Sequence, residues 1–306
     1  MTINGSSKSK SAVEKTAQIV FTVCAVTAIA AVASITLYMI LNGAPALVKV
    51  GIKDILFDTV WQPTAATPRF GILYVILTSI IGTALAILLG VPIGVFTAIF
   101  LAETAPRKVA MVVKPAVELL AGIPSVIYGL LGVLLLNPLM YKVEIALFKD
   151  SPTHQFTGGA NLISAVLVLA VMILPTVINI SETAIRAVPA QLKSSSLALG
   201  ASHIQTIFRV ILPAAKSGII TAIVLGVGRA IGEAMAITLV SGSSVNFPLP
   251  FNSVRFLTTA IVSEMGYASG VHRQVLFTIG LVLFAFIMLI NIVLSKILKK
   301  GVQENE

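Results

Sequence analysis

The sequence is poor in the residues that most soluble proteins and metal sites need. Only 11% of its residues are charged, whereas soluble domains average about 25%, and its mean hydropathy is +1.01. It contains one cysteine, Cys24, and three histidines. A single cysteine has no partner for an internal disulfide and provides no cysteine cluster for a metal ion. The composition therefore excludes an ordinary soluble domain and predicts an integral membrane protein.

Motifs that carry chemistry are also missing. The sequence contains no GxxxxGK[ST] loop that would cradle nucleotide phosphates, no HExxH or GxSxG motif, and no cluster of cysteine and histidine. We therefore expect no enzyme activity and no cofactor in this chain. If the protein moves a solute uphill, the energy has to come from an ion gradient or from a partner.

The chain is basic, with a net charge of +9. In membrane proteins, however, lysine and arginine gather on cytosolic loops, so this excess does not require nucleic acid. We predict the lipid bilayer as a partner and no nucleic acid.

Long apolar runs predict six membrane-spanning helices, since about 20 apolar residues cross a bilayer. They are expected at about 17–41, 71–102, from Pro115 onward, 161–181, 218–241 and 274–298. The further apolar segment 256–266 is too short to span and is predicted to be re-entrant or interfacial. If the N-terminus is cytosolic, the segments that face the cytosol carry more lysine and arginine than the segments that face outward. This excess favours that orientation, and six spans then place the C-terminus in the cytosol as well.

These spans predict an all-α integral membrane fold with four regions. A cytosolic tail covers residues 1–16, the first helix and an external loop cover 17–70, the membrane core covers 71–298, and a second cytosolic tail covers 299–306. Within the external loop, residues 46–57 favour a short interfacial helix. Trp61 is interpreted as an aromatic anchor at the level of the headgroups.

The third span is predicted to be irregular. Pro115 suits its first turn, and Glu118 would then lie where the helix dipole favours an anion. Pro124 should distort the helix a few residues later. The stretch 141–160 predicts a polar connection, in which His154 has no second ligand at metal spacing and is interpreted as a solvated loop residue.

Residues 189–213 predict a folded helical hairpin outside the membrane. Gly200 is the residue type favoured just past a helix C-terminus. Ser202 and Gln205 have the spacing of a capping box that would start a second helix. This helix is expected to end before Pro213, since a proline pushes the preceding residue out of the α region. An ordinary loop between two spans is the alternative.

The fifth span carries two ionisable residues at a depth where such residues are rare. Arg229 is predicted near its centre, with Glu233 one turn later on the same helix face. A charge at the midplane costs about 2.5–3.5 kcal/mol on insertion scales, and such residues usually face a cavity or a partner. The pair either belongs to a solute path or only neutralises itself to ease insertion. Gly226, Gly228 and Gly232 are predicted to serve helix packing, the last two as a GxxxG pair.

The hairpin resembles the cytosolic signature of ABC-importer permeases, which reads EAA, three residues, Gly, nine residues, Ile, one residue, Leu-Pro. Gly200, Val210, Leu212 and Pro213 fall at matching places, whereas three serines replace the EAA triplet, so that its acidic member is absent. The resemblance implies contact between the hairpin and an ATPase subunit. The residues to which this role is carried over are Ser194, Ser195, Ser196, Leu199, Gly200 and Ala201.

Other stretches are similar to the phosphate-importer permeases: PIGVFTAIFLAETAP from Pro92, ELLAGIPSVIYGLLG from Glu118 and GVGRAIGEAMA from Gly226. The sequence WQPTAATPRFGI from Trp61 is more similar to the C-type subunit than to the A-type subunit. The resemblance covers about residues 70–298.

This resemblance implies a type I ABC importer permease (MetI-like) fold in the cell membrane of a prokaryote. It also implies partners: an A-type phosphate permease subunit in a heterodimer, two ATP-binding subunits that use ATP and Mg²⁺, and an external phosphate-binding protein. The permease itself is expected to have no nucleotide site.

Within this resemblance, Arg229 is hypothesised to meet phosphate in the translocation path, because a guanidinium binds oxyanions bidentately and keeps its charge. Glu233 would tune that attraction or accept a hydrogen bond from a phosphate hydroxyl. Four alternatives stay open: a permease for another oxyanion such as phosphonate, molybdate or sulfate, the A-type subunit, an ion-coupled secondary transporter, and a membrane scaffold or sensor without solute flux.

Overall fold

The protein is a bundle of helices with one short β-hairpin at its edge. The computed structural model describes the backbone of residues 7–303 and the side chains of residues 13–293 together with Lys296. The helices of this described part are α1 Ser7–Lys49, α2 Ile52–Leu56, α3 Leu73–Ile99, α4 Arg107–Gly122, α5 Ser125–Leu131, α6 Asn137–Phe148, α7 Leu162–Arg186, α8 Ala190–Ala198, α9 His203–Thr206, α10 Leu212–Gly232, α11 Met235–Val240, α12 Leu257–Glu264 and α13 Gly270–Gln303. Strands β1 Trp61–Gln62 and β2 Arg69–Phe70 pair in antiparallel fashion.

Three short π-helical turns extend some of these helices. They lie at Phe100–Thr104, Gly132–Leu136 and Ile207–Ile211. Each connects two helical stretches or prolongs one, so several spans are longer than a single α-helix.

Six helical segments within the described residues are long and apolar enough to cross a membrane, which confirms the predicted number. They are Val13–Lys49, Leu73–Thr104, Ser125–Phe148, Leu162–Arg186, His203–Gly232 and Gly270–Val293. The short helix α12 is not among them, as its length predicted.

Helix α7 lies at the centre of the bundle, between α3 and α10. Its packing against α3 depends on small residues, because a Cβ built at Gly90 would lie 2.7 Å from Ile173 and one built at Gly94 would lie 2.8 Å from Val177. Such glycines let membrane helices approach closely. The main apolar core forms around the first half of α7, where side chains from α3, α5, α11 and the segment before α12 meet it.

The outer edge of the bundle is built by the end of α1, α2, the β-hairpin and the start of α13. Gly51 has φ of 101° and separates α1 from α2, so the predicted interfacial helix 46–57 is divided between two helices. Trp61 pairs with Phe70 across the β-hairpin. Its indole is partly buried and donates to Glu264 at 3.0 Å, a tertiary contact beyond the predicted role at the headgroups.

The predicted start of the third span is wrong. Pro115 lies inside α4, and Glu118 lies in the second half of that helix and not in its first turn. Helix α4 begins earlier because Pro106, in an extended conformation, stands just ahead of its first residue. The predicted break is confirmed, since α4 ends at Gly122 and the apolar span starts only at Ser125.

The connection 141–160 is also shorter than predicted, because α6 continues to Phe148. His154 is not solvated: its ring stacks on Phe148 with centroids 4.0 Å apart, and its Nε2 lies 2.9 Å from Oε1 of the fully buried Glu144. A buried carboxylate is costly unless polar partners surround it, and this explains why the loop folds back onto α6.

Both predicted tails are partly helical. Helix α1 begins at Ser7 and α13 continues to Gln303. Residues 1–6 and 304–306 lie outside the described part of the chain, and the predicted boundaries of the four regions stay predictions.

Candidate functional site

The predicted cytosolic hairpin is present and its turn has the expected chemistry. Helix α8 ends at Ala198, and Gly200 follows with φ of +86°, a conformation that glycine adopts at little cost. Ser202 caps α9 as predicted, because its hydroxyl accepts from the Gln205 amide at 3.2 Å while the Gln205 side chain accepts from the Ser202 amide at 2.9 Å. His203 is exposed.

The second arm of the hairpin does not end before Pro213, which corrects the prediction. The π turn Ile207–Ile211 joins α9 to α10, and Pro213 occupies the first turn of α10. Since the amides at the start of a helix have no partner within it, the missing N–H of proline is tolerated there. The arm is therefore continuous with the fifth span, which runs over His203–Gly232.

The tip of the hairpin is apolar and exposed. Leu199 is 89% exposed, and Leu197, Ile204 and Phe208 are also exposed. Of the residues predicted to contact an ATPase, Ser194, Ser195, Leu199 and Gly200 are exposed, whereas Ser196 and Ala201 are partly buried.

Contacts between its arms make the hairpin a defined shape. The hydroxyls of Ser196 and Thr206 lie 3.0 Å apart, and the Ala201 amide donates to the Ser196 carbonyl at 3.2 Å. At the base, Ile207 and Ile211 are buried against the ends of α3 and α7.

Ionic contacts also tie the hairpin to the membrane core. Lys193 of α8 forms an ion pair with Glu103, which lies in the π turn that extends α3. Arg186 at the end of α7 donates to the Leu101 carbonyl at 2.7 Å and to Glu182 at 2.7 Å. Sequence reasoning did not identify this cluster. The i,i+4 spacing of Glu182 and Arg186 at the end of an apolar span was the available signal.

Arg229 lies in the last turn of α10, next to the middle of α7. Its Nη1 donates to Thr176 Oγ1 at 3.4 Å, and Thr176 lies near the midpoint of α7. Because α7 spans the membrane, this contact places the guanidinium deep within it. Arg229 is partly buried.

Glu233 does not share a helix face with Arg229, which corrects another expectation. Helix α10 ends at Gly232, and Glu233 is extended with φ of −73° and ψ of 129°. Its carboxylate turns toward α11 and accepts from the Ala236 amide at 3.0 Å, while its carbonyl accepts from the Thr258 hydroxyl at 2.7 Å. Both residues are described, and no ion pair joins them. The predicted span 218–241 is therefore two helices.

The three glycines of this region have different surroundings. A Cβ built at Gly226 would lie 3.0 Å from Val177 of α7, which fits close packing within the chain. At Gly228 and Gly232, no described atom lies within 4 Å of such a Cβ, apart from the neighbouring backbone of the helix itself. A packing role for these two would need a partner chain, and it stays a prediction.

The site thus combines the cation of Arg229 within the bundle, with the neutral Thr176 hydroxyl as its nearest described partner, and the folded hairpin at one end of the same span.

Residues 90–303 match the family described as the binding-protein-dependent transport system inner membrane component. The chain belongs to this family. Membership makes it a membrane-embedded transport component, the permease subunit of an ABC importer.

Relatives of known sequence cover most of this permease. The probable ABC transporter permease protein YqgH of Bacillus subtilis is 40% identical over 91% of this chain and 90% of its own. The phosphate transport system permease protein PstC of Pasteurella multocida is 35% identical over 82% and 81%, and PstC of Mesorhizobium japonicum is 36% identical over 75% and 73%. The resemblance to phosphate-importer permeases is confirmed.

Solved structures support the fold. A chain of the MetNI methionine ABC transporter, from inward-facing conformations of that complex, matches with a TM-score of 0.55 at 20% identity, over 74% of this chain and 93% of its own. The expected type I ABC importer permease fold of MetI-like topology is confirmed. At this identity the likeness supports the fold and carries no statement about the solute.

Proposed function

We propose that this chain is the C-type membrane subunit of an ATP-driven importer of inorganic phosphate. Support comes from relatives that are named phosphate permeases and that match over most of both chains. YqgH, although 40% identical, is described only as a probable ABC transporter permease, so support for phosphate as the solute also depends on the site itself.

The observation that carries the proposal is that Arg229 lies at membrane depth without an anionic partner among the described residues. Its guanidinium lies at membrane depth, bonds the neutral Thr176 hydroxyl at 3.4 Å, and has no carboxylate within ion-pair distance among the described side chains. A permanent charge at this depth is costly unless a partner or a hydrated cavity compensates it. An oxyanion passing through the site supplies that compensation, and the planar fork of arginine matches its geometry.

Glu233 has a different role in this proposal from the one its spacing first indicated. Its carboxylate is engaged by the Ala236 amide, so it holds the start of α11 and fixes where α10 ends. Arg229 is thereby kept at a helix end beside the path. Release of phosphate is aided because a single cation, Arg229, holds it.

The hairpin supplies the coupling in this proposal. Its exposed residues Leu197 and Leu199 dock in a groove of an ATP-binding subunit. Because the hairpin is continuous with α10, its movement is transmitted along that helix to Arg229, which lies about 25 Å from Leu212 along the helix axis. The complete importer contains an A-type permease in a heterodimer, two ATP-binding subunits that use ATP and Mg²⁺, and an external phosphate-binding protein. This permease binds no cofactor, and in a prokaryotic cell membrane both of its termini face the cytosol.

The test is phosphate uptake by the assembled complex in liposomes. We expect Arg229→Gln to lower ATP-dependent uptake at least about tenfold, which corresponds to about 1.4 kcal/mol, with Arg229→Lys intermediate because it keeps the charge but loses the fork. Arg273→Gln is the matched control, since Arg273 is exposed at the start of α13. Wild-type uptake by Arg229→Gln would contradict the proposal.

Competition separates the alternatives. Unlabelled phosphate should displace labelled phosphate, whereas sulfate, molybdate and phosphonate should not. Uptake driven by an ion gradient without ATP would instead indicate a secondary transporter. Assembly of the chain in the A-type position of a complex would assign it to the other subunit.

A further inference from the structure

A buried carboxylate lies where the hairpin meets the membrane core. Glu182 of α7 is 2% exposed and accepts from two cations on different elements, Arg186 at 2.7 Å on its own helix and Lys114 of α4 at 3.3 Å. We call these three residues the inner cluster. The arrangement adds an ionic link between α4 and α7 to the apolar packing of Val117 against Ile178.

On one side, the inner cluster is connected to the hairpin. Arg186 also donates to the Leu101 carbonyl at 2.7 Å, and Leu101 lies in the same π turn as Glu103, the ion-pair partner of Lys193 in α8. A displacement of α8 therefore acts on the π turn and, through Arg186, on Glu182.

On the other side, the inner cluster is connected to the surroundings of Arg229. Lys114 belongs to α4, whose Leu120 carbonyl accepts from the Tyr128 hydroxyl of α5 at 2.7 Å. Helix α5 packs closely on α11, because a Cβ built at Gly129 would lie 2.7 Å from the Ala236 Cα. The Ala236 amide is the group that Glu233 caps. The contacts thus reach the residues that end α10 just after Arg229.

The two cations of the inner cluster remain open to solvent, with Lys114 46% and Arg186 49% exposed. Water can replace their contacts, so the cluster can break and form again when α4 and α7 move relative to each other. For the same reason, loss of the carboxylate leaves no cation buried without a partner, and the fold should tolerate it.

We propose that Glu182 is a positioning residue that couples hairpin movement to the path around Arg229 by holding α4 to α7. This rests on the proposed function, in which the hairpin receives the ATPase stroke. Coupling between distant sites is carried by packed elements and ionic networks with two arrangements. Without the carboxylate, the hairpin moves but α4 no longer follows, so hydrolysis continues while transport fails.

The experiment compares phosphate imported per ATP hydrolysed in liposomes that contain the complete importer and its binding protein. Glu182→Gln keeps the shape and removes the charge. We expect stimulated ATPase activity within about twofold of the wild type and a fall in phosphate per ATP of at least about fivefold, the lower end of ordinary coupling between sites. Glu118→Gln is the matched control, because Glu118 is an exposed carboxylate on α4, and it should keep the wild-type ratio.

The outcomes are distinguishable. A wild-type ratio in Glu182→Gln would overturn the inference, and a proportional loss of hydrolysis and uptake would do so as well, since it would mean a purely structural role. If Glu182→Gln fails to assemble, Lys114→Met decides, because it removes the ionic link to α4 and leaves Glu182 paired with Arg186. It should lower the same ratio. Absence of phosphate uptake by the wild-type complex would instead refute the proposed function.

Discussion

Two buried carboxylates, Glu182 and Glu264, lie toward opposite ends of the helical bundle, and their cationic partners differ in exposure to solvent. At the outer end, Glu264 accepts from the Trp61 indole at 3.0 Å, pairs with Arg255, and lies 2.7 Å from His272. We call these four residues the outer cluster. Its cation Arg255 is 16% exposed and its imidazole 10%, whereas both cations of the inner cluster are about half exposed.

The comparison indicates what each end of the molecule does. In the outer cluster, one carboxylate of α12 that water scarcely reaches contacts three other elements: the β-hairpin, the segment before α12, and α13. Such a cluster breaks only at high cost and stabilises a fixed shape. In the inner cluster, solvent can substitute for either cation, so its contacts can exchange during a transport cycle.

The largest expected effect comes from breaking the outer cluster. Glu264→Gln leaves Arg255 charged and only 16% exposed, with the Ser243 carbonyl but no carboxylate as its partner, which should cost up to about 3–5 kcal/mol of stability. Thermal unfolding in detergent measures this loss, and Asp54→Asn, which removes an exposed carboxylate on α2, is the control. A loss no larger than that of Glu182→Gln would remove the distinction between the two clusters.

A smaller effect is expected from straining the hairpin turn. Gly200 has φ of +86°, and a side chain in the left-handed region costs about 1–2 kcal/mol per residue. Gly200→Val should therefore abolish phosphate-stimulated ATPase activity while the permease stays folded in the membrane. Gly266→Val is the control, since Gly266 is exposed and surrounded by open space. Unchanged stimulation in Gly200→Val would count against docking through this turn.

The smallest effect is expected from removing the cap of α9. Ser202→Ala loses one half of the capping box, which should cost about 1 kcal/mol locally. Hydrogen exchange of amides in the second arm of the hairpin should become faster, with exchange in α7 unchanged. Equal acceleration in both helices would mean that the hairpin unfolds together with the core, and the inner end would then be no more adaptable than the outer end.

Features that depend on neighbouring residues along the chain could be predicted from sequence. The capping box at Ser202, the turn at Gly200 and the break before Ser125 each follow from local chemistry. The number of spans followed from hydropathy alone. The resemblance to phosphate-importer permeases depended on motifs of this local kind.

Features that depend on distant residues could not be predicted. The end of α10 at Glu233 depends partly on distant residues, because the Thr258 hydroxyl donates to the Glu233 carbonyl and α11 packs on α5. The His154 side chain is only 10% exposed because Glu144, ten residues earlier, needs a partner. Lys114 and the partners of Glu264 come from other elements, so neither complete cluster could be found by spacing along one helix. Only the i,i+4 pair of Glu182 and Arg186 was visible in the sequence.

The most direct test of the central claim is ATP-dependent accumulation of radiolabelled phosphate in liposomes that contain the complete importer, with the wild type and Arg229→Gln compared side by side. We predict accumulation against a gradient by the wild type only when ATP and the external binding protein are both present, and little accumulation by the variant. Equal accumulation by the two proteins, or accumulation by the wild type without ATP, would contradict the account.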